Sequence, residues 1–401
     1  MSRRALFLTH EPPYPPISGA RLRSWHLMRE LARRGWELSL FALATSERER
    51  AGSMGPLEEL CEEVAVEVLP SSPAARYRRL AGALARRRAF QASYFLDPDA
   101  RASLAAGGML ERADVVVVSL LYMRPYLPAQ LAPRAVLDTH NSEVGRLASM
   151  TRHAPLSPRG LVARAQARLV EELERSVTQE LARTLAVSEQ ERAWFDTIAP
   201  GRVDLVPNGV DCEGLPPRAT PPADPEILFV GSMGYGANQD GVGWFAREAL
   251  PLLRRPDARL TVVGGGAPQA LLRTLRQAPV RVEATGFVER TDPYFARARV
   301  MVVPLRIGGG TRLKILEALA RGVPVVSTTL GAEGLDLEPG RDLLIADEPA
   351  ALAGAIGRLL DDDALCRDLA RNGRETVEKR YDWAGIGDRM AASLARVAEA
   401  R

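Results

Sequence analysis

The stretch 299–328, RVMVVPLRIGGGTRLKILEALARGVPVVST, reads as a strand, a glycine turn, a helix and a second strand. Val300, Met301, Val302 and Val303 form an apolar run without polar alternation, and VPVVST at 323–328 repeats the pattern. Such strands are buried on both faces, as in a parallel sheet covered by helices. Between them, Gly308, Gly309 and Gly310 lead into an amphipathic helix that opens at Thr311, Arg312 and Lys314 and stops at Arg321-Gly322. The first N–H groups of a helix lack partners within it, and the helix dipole is positive there. Glycines, having no Cβ, let an anion approach the backbone of such a turn. Arg312 and Lys314 add full charges, and Glu317 follows Lys314 by one helical turn. The stretch reads as a phosphate cradle. Its plain alternative is a flexible loop with a threonine cap and a surface Lys314–Glu317 pair. The spacing G-x-x-x-x-G-K-[ST] of a P-loop is missing.

Of the 53 basic residues only Lys314 and Lys379 are lysines. Where charge alone is needed this chain uses arginine, which singles out Lys314.

Strand and helix signals recur on both sides. Downstream and upstream of the glycine turn lie EILFVG (226–231), RLTVVGGG (259–266), VRVEATG (280–286) and DLLIA (342–346). Gly231 and Gly266 stand at two glycine-rich strand exits, and ligands of open α/β sheets bind at the carboxyl ends of strands. LTVVGGGAP (260–268) resembles a dinucleotide fingerprint with Glu283 as its ribose acid, but Gln269 occupies the place of the third glycine. A tight strand-to-helix turn explains it equally.

Near the N-terminus, RALFLT (4–9), a proline-rich loop ending at Ser18-Gly19, the helical RLRSWHLMRELARR (21–34) and WELSLFAL (36–43) form a βαβ unit. Further strands are DVVVVSL (114–120), RAVLDTH (134–140), RTLAVS (183–188) and RVDLVP (202–207). Two successive sets of this kind predict an α/β chain of two doubly wound domains. Their expected bounds are 1–210 and 226–380, joined by a proline-rich linker at 211–225. A final amphipathic helix at 381–401 is expected to pack back on the first domain.

A hydrophobic share of 46% and a charged share of 26% are those of a soluble globular protein. The net charge of +3 is too small to argue for nucleic acid. No apolar run reaches the roughly 20 residues of a membrane span, and the apolar run after Arg4 is too short for a signal peptide. Cys61, Cys212 and Cys366 are odd in number and far apart, which fits a reducing cytoplasm. His10, His26, His140 and His153 show no metal-ligand spacing, so no metal is expected.

In VLDTHNSE (136–143), Asp138, His140 and Glu143 fall at a strand end. The imidazole serves either a sugar hydroxyl or proton transfer, or it is a turn histidine held by the aspartate. RYRRLAGALARRRAF (76–90) carries Arg78, Arg79, Arg86, Arg87 and Arg88 around Leu80 and Leu84. It reads as a solvated helix or as a peripheral contact with anionic membrane.

The motifs PPYPPISGARLRSWHLMRELARRGWEL, DTHNSE, AVSEQER, VPNGVD, FVGSMGYGANQDGVGWF, VVGGGAP, TGFVER and PLRIGGGTRLKILEALARGVPVVSTTLGAEGL span nearly the whole chain. Together they resemble the family 4 retaining glycosyltransferases of GT-B fold, with two facing Rossmann-like domains and a cleft between them. The GGGTRLK subset looks like bacterial transferases of surface or exported polysaccharide. The resemblance implies a nucleotide diphosphate sugar donor held mostly by the second domain, a glycan or lipid-linked acceptor on the side of the first, and no metal or other cofactor. It implies that Gly308, Gly309, Gly310, Thr311, Arg312 and Lys314 take the diphosphate and that Glu317 holds the ribose. Phe287 and Val288 would meet the base, His140 would lie near the donor sugar, and Gly19 would face the diphosphate. Arg312, Lys314 and His140 are the expected catalytic groups; Gly231 and Gly266 are donor-site glycines.

Two positions depart from the family pattern. The first acid of E-x7-E falls at Gly309, so that contact to the donor sugar is either missing or made by backbone groups of Gly310 and Thr311. The Arg and Lys that many members carry after the first strand of this domain are missing from GSMGYGANQ, so Arg312 and Lys314 replace that charge. A nucleotide-sugar epimerase or hydrolase, an NAD-dependent oxidoreductase and a non-catalytic sugar-nucleotide binding subunit are the rival readings. The expected location is the cytoplasm, peripheral at the inner face of the membrane.

Overall fold

The computed structural model describes residues 3–400 except 71, 73–76, 78, 80, 84–88, 154–157 and 309. It divides the chain into two compact units, Met1–Asn208 with Trp383–Arg401, and Gly209–Asp382.

The first unit is built on a parallel sheet of seven strands: β1 (Arg3–Thr9), β2 (Trp36–Ala44), β3 (Glu63–Val68), β4 (Val115–Ser119), β5 (Ala135–Asp138), β6 (Arg183–Ala186) and β7 (Val203–Leu205). Their spatial order is β3-β2-β1-β4-β5-β6-β7. Strand β4 has every residue buried, which is what its unbroken valines require. One apolar layer packs the helix Gly19–Arg33 and the helix Trp383–Glu399 against the sheet through Leu27, Met28, Leu31, Ile386, Met390 and Leu394. The two helices cross closely, since a Cβ at Gly387 would stand 2.5 Å from Cβ of Glu30. Arg34 fixes the crossing by donating to Asp388 at 2.7 Å and to the carbonyl of Ala384 at 2.6 Å.

The second unit carries a six-stranded parallel sheet: β8 (Glu226–Val230), β9 (Arg259–Val263), β10 (Arg281–Gly286), β11 (Val300–Val303), β12 (Val325–Ser327) and β13 (Leu344–Ile345). Its order is β10-β9-β8-β11-β12-β13. Both sheets therefore reverse direction once, between β1 and β4 and between β8 and β11. Such a switch point opens a crevice at the carboxyl ends of the two strands.

Three features differ from the sequence reading. Strand β3, EVAVEV, is an edge strand paired to β2 from Glu63 to Val68 and mostly half-buried. Its polar alternation set it apart from the continuous apolar runs used to find the others. The unit boundaries fall at Asn208–Gly209 and Asp382–Trp383. Residues 211–225, read as a linker, belong to the second unit and are strapped to it by arginines. Arg374 donates to the carbonyls of Leu215 at 2.6 Å and Cys212 at 2.8 Å, and also to that of Ala320. Arg218 donates to the carbonyls of Ala298 and Arg299, and Arg299 to that of Pro222 at 2.8 Å. Proline-rich composition signalled irregular backbone here; the donors that fix it come from far along the chain.

Replacing Arg374 by Met keeps the aliphatic stem and removes three donors to backbone carbonyls. Each buried acceptor left bare costs about 1–3 kcal/mol. Arg374→Met is expected to lower stability by about 2 kcal/mol or more, read as a falling urea midpoint at unchanged slope.

Candidate active site

The switch point of the second unit gathers the residues singled out in 299–328. The exits of β8, β9 and β10 are stitched by backbone bonds: Gly231 N–H to Val263 O at 2.9 Å, Met233 N–H to Gly265 O at 2.8 Å, and Gly264 N–H to Gly286 O at 3.0 Å. This closeness excludes side chains. A Cβ at Gly264 would stand 2.0 Å from the Gly231 carbonyl oxygen, and one at Gly266 would stand 2.8 Å from the Gly234 nitrogen. The triple glycine of β9 thus serves first to let two turns touch. Glu283, its supposed ribose acid, sits within β10 opposite Thr261 and pairs with Arg297 at 2.5 Å. It is not at the carboxyl end of its strand, where a dinucleotide would need it.

From the other side of the switch point comes the loop after β11. Gly308 has φ of 106°, and a Cβ there would stand 3.0 Å from the Tyr235 hydroxyl and 3.2 Å from Cβ of Ala237. Gly310 has φ of 84°. Gly309 lies outside the described residues. The helix begins at Leu313, with Arg312 at its N-cap and no side-chain cap bond. Thr311, a cap in the plain alternative, is not one: its hydroxyl is buried with no hydrogen-bond partner among the described residues. Such an orphan marks a place where a ligand or water completes the bonding.

Arg312 is buried and donates to the Gly310 carbonyl. Burial lowers the pKa of its guanidinium, against smaller opposing effects of Tyr235 and Glu333. The Lys314 ammonium crosses to the β8 exit. It donates to Asn238 Oδ1 at 3.0 Å, stands 4.2 Å from the centroid of the Phe229 ring, and would be 2.5 Å from a Cβ at Gly231. Charge missing from GSMGYGANQ is thus brought to that loop by Lys314. Burial, and then the neighbouring Arg312, pull its pKa down to about 7. An anion beside it would reverse that shift.

Lys314 and Glu317 do not form the surface pair of the plain reading. Glu317 accepts from Thr291 at 3.2 Å and from Arg321 at 3.2 Å. Burial raises its pKa, and Arg321 opposes the rise. Phe287 stands 78% exposed just beyond β10, a large apolar ring left in water, while Val288 packs toward the core. Asn238 and Tyr235 were not singled out from the sequence, although both lie in the quoted GYGANQDG. Only the fold shows that they meet the loop after β11.

In the first unit the switch point holds His10 after β1, Ser119 at the end of β4 and His140 after β5. His140 Nε2 lies 2.9 Å from Ser119 Oγ and 3.5 Å from Asp138 Oδ2. Its Nδ1 is buried without a partner among the described residues, as is that of His10. The two rings stand 5.9 Å apart, edge to face. Burial, with His140 and Arg21 nearby, pulls the pKa of His10 down to about 3, so it is neutral at working pH. Asp138 is committed elsewhere: Arg23 donates to its Oδ1 at 3.0 Å and 2.6 Å in full burial. Burial alone would raise the Asp138 carboxyl; Arg23 and His140 together outweigh it and hold the pKa below the ordinary value. Gly19 opens the helix Gly19–Arg33 behind the cap Ser18, whose hydroxyl donates to Glu11 at 3.0 Å. Arg21 also binds Glu11, at 2.7 Å, so a resident carboxylate already sits at this helix start.

Among the described residues no group of three or more His, Cys, Asp or Glu could hold a metal ion.

Two doubly wound parallel sheets in tandem, one with a cationic glycine turn at its switch point, define the GT-B class of fold. Residues 17–213 match the family description "Glycosyltransferase Family 4", and residues 224–362 match "Glycosyl transferases group 1". The chain belongs to the family 4 glycosyltransferases. It is 30% identical over 209 residues to a glycogen synthase of Mycobacterium tuberculosis, covering 49% of each chain. It spans about half the length of the curated relatives it matches. Among solved structures it is similar to sucrose-phosphate synthase from Thermosynechococcus elongatus, with TM-score 0.75, 21% identity and 100% of both chains covered. It is also similar to Anabaena HepE in complex with UDP, with TM-score 0.69, 16% identity, and 98% and 100% covered.

The Arg23–Asp138 bridge sets the floor of the first unit's switch point. Removing one partner of a buried pair leaves an uncompensated charge, at about 3–5 kcal/mol. Arg23→Met is expected to destabilise by that order at pH 7. The loss should shrink as acid protonates the bare carboxyl, which thermal unfolding across pH 4–7 will show.

Proposed function

We propose that this chain is a retaining glycosyltransferase. It moves a sugar from a nucleotide diphosphate sugar to a glycan or lipid-linked acceptor, in the making of surface or exported polysaccharide. The observation that carries the reading is the convergence of Arg312, Lys314 and the orphan Thr311 hydroxyl on a glycine-walled turn at a sheet switch point. The complex of HepE with UDP, a protein of similar fold, supports a uridine or related nucleotide as the donor's carrier.

In this reading the diphosphate lies against the N-terminus of the helix Leu313–Ala320. Negative charge grows on it as the sugar departs. Lys314, Arg312 and the first backbone N–H groups of the helix are fixed before the reaction, so they stabilise that charge without reorganising. Glu317 takes the ribose, and Phe287 offers an apolar face to the base. The acceptor oxygen attacks from the face the diphosphate leaves.

A hydrolase or epimerase would turn over the nucleotide sugar with no acceptor present. A non-catalytic subunit would bind the donor without transfer. The oxidoreductase reading is disfavoured by the place of Glu283 within β10. Membrane contact is proposed through the basic segment 76–90. Arg78, Arg86, Arg87 and Arg88 lie outside the described residues. Arg79 is turned inward, donating to the carbonyl of Pro70 at 2.9 Å. Among the described residues no helix is long and apolar enough to cross a membrane.

Lys314→Ala removes a charge-assisted contact of about 1.5–3 kcal/mol. Calorimetry should show UDP or GDP binding weakened by about ten- to a hundredfold, with binding of the matching nucleoside little changed. Equal loss for both ligands would refute the phosphate role.

A second expectation concerns pH. With a pKa of about 7 in the free protein, Lys314 is charged below that pH and neutral above it. The diphosphate binds the charged form and raises the pKa. Affinity should therefore fall as pH rises above about 7, with proton uptake on binding. The slope should vanish in Lys314→Ala, measured by titration in buffers of different ionisation enthalpy.

A further inference from the structure

The Lys314 ammonium reaches the β8 exit across 76 residues of sequence, and the side chain of Asn238 accepts from it there. Asn238 is buried in the first turn of the helix Gly236–Trp244, with 6% of its surface exposed. Its amide has two partners of opposite kind. Nδ2 donates to the Ser232 carbonyl at 2.8 Å, and Oδ1 accepts from Lys314 Nζ at 3.0 Å. The Ser232 carbonyl only accepts, so the amide nitrogen must face it. The oxygen is then forced toward the lysine; a flipped amide would set oxygen against oxygen. Asn238 is also tied by its backbone, N–H to Tyr235 O at 3.1 Å.

Two further groups crowd the ammonium. The Phe229 ring lies on one side, and Gly231 approaches so closely that a Cβ there would be 2.5 Å from Nζ. Nδ2 of Asn238 would itself be 2.9 Å from that Cβ. Glycine at 231 and asparagine at 238 therefore act on one object, the position of the Lys314 head group. Four rotatable bonds would otherwise let a lysine wander, and a wandering cation contributes less to a fixed anion.

We propose that Asn238 is a positioning residue for the phosphate-binding cation: it holds the Lys314 ammonium beneath the Gly231–Ser232 turn, so that the anion site is assembled from two strand exits. The proposal rests on the diphosphate reading of the site. Asn238 touches the lysine and the loop, and it acts on the ligand through Lys314.

A double-mutant cycle separates this role from a merely structural one, since residues acting through one another do not add. UDP and GDP are titrated in parallel into wild type, Asn238→Ala, Lys314→Ala and the double variant. Thermal unfolding of each variant accompanies the titrations. The expected result is a roughly tenfold loss for Asn238→Ala and no further loss when it is added to Lys314→Ala. Gly231→Ala supplies a second variant, whose Cβ would crowd the lysine head group directly. It should weaken binding similarly, and its effect too should disappear in the Lys314→Ala background. The proposal is overturned if Asn238→Ala binds as wild type does, or if its loss persists in full beside Lys314→Ala. Either result with Lys314→Ala still weakened leaves the diphosphate reading standing. If wild type binds neither nucleotide, or Lys314→Ala binds both as well as wild type, that reading fails and the proposal falls with it.

Discussion

A carbonyl oxygen of Gly231 lies where the Cβ of any other residue at position 264 would be. That contact brings the exits of β8 and β9 together, and much of the candidate donor site follows from it. Backbone bonds between the two exits hold the Gly231–Ser232 turn in place. Asn238 reads the position of that turn through the Ser232 carbonyl, and Lys314 reads the position of Asn238. A chain of contacts thus runs from two side-chain-free residues to a cation. Glycine here supplies distance as much as conformational freedom.

Burial of that cation has a cost and a use. An ammonium among a phenyl ring, an amide and another positive group is poorly compensated, which is why its proton is loosely held. A site of this kind is not neutral in its wants: it gains most from a ligand carrying concentrated negative charge. Arg312 is desolvated in the same way, and the Thr311 hydroxyl awaits a partner. The helix Leu313–Ala320 has no side-chain cap of its own. Two desolvated cations, a hydroxyl with no partner among the described residues and a helix start without a side-chain cap thus fall within one turn of chain.

The two sheets were legible because their central strands are unbroken apolar runs, such as Val115–Ser119 and Val300–Val303, and because glycines mark their exits. Edge strand β3 escaped because half of it faces water and its glutamates break the run. The stretch 211–225 looked like a tether because prolines signal irregular backbone equally in tethers and in straps; Arg374, more than 150 residues away, decides which. Lys314 could be singled out from composition alone. Its partner could not, since Asn238 meets it only after β8 and β11 lie side by side. Thr311 satisfies the cap pattern of the plain alternative because a threonine after glycines does so whether or not the helix starts there.

The helix Trp383–Glu399 belongs by its packing to the first unit, although the whole of the second unit precedes it in the chain. During synthesis from the N-terminus, the sheet β1–β7 is complete long before the residues that cover one of its faces leave the ribosome. Until Ile386, Met390 and Leu394 arrive, Leu27, Met28 and Leu31 are without part of their apolar cover. The second unit, contiguous from Gly209 to Asp382, meets no such delay. The nascent chain therefore holds every residue of its later unit before it holds every residue of its earlier one.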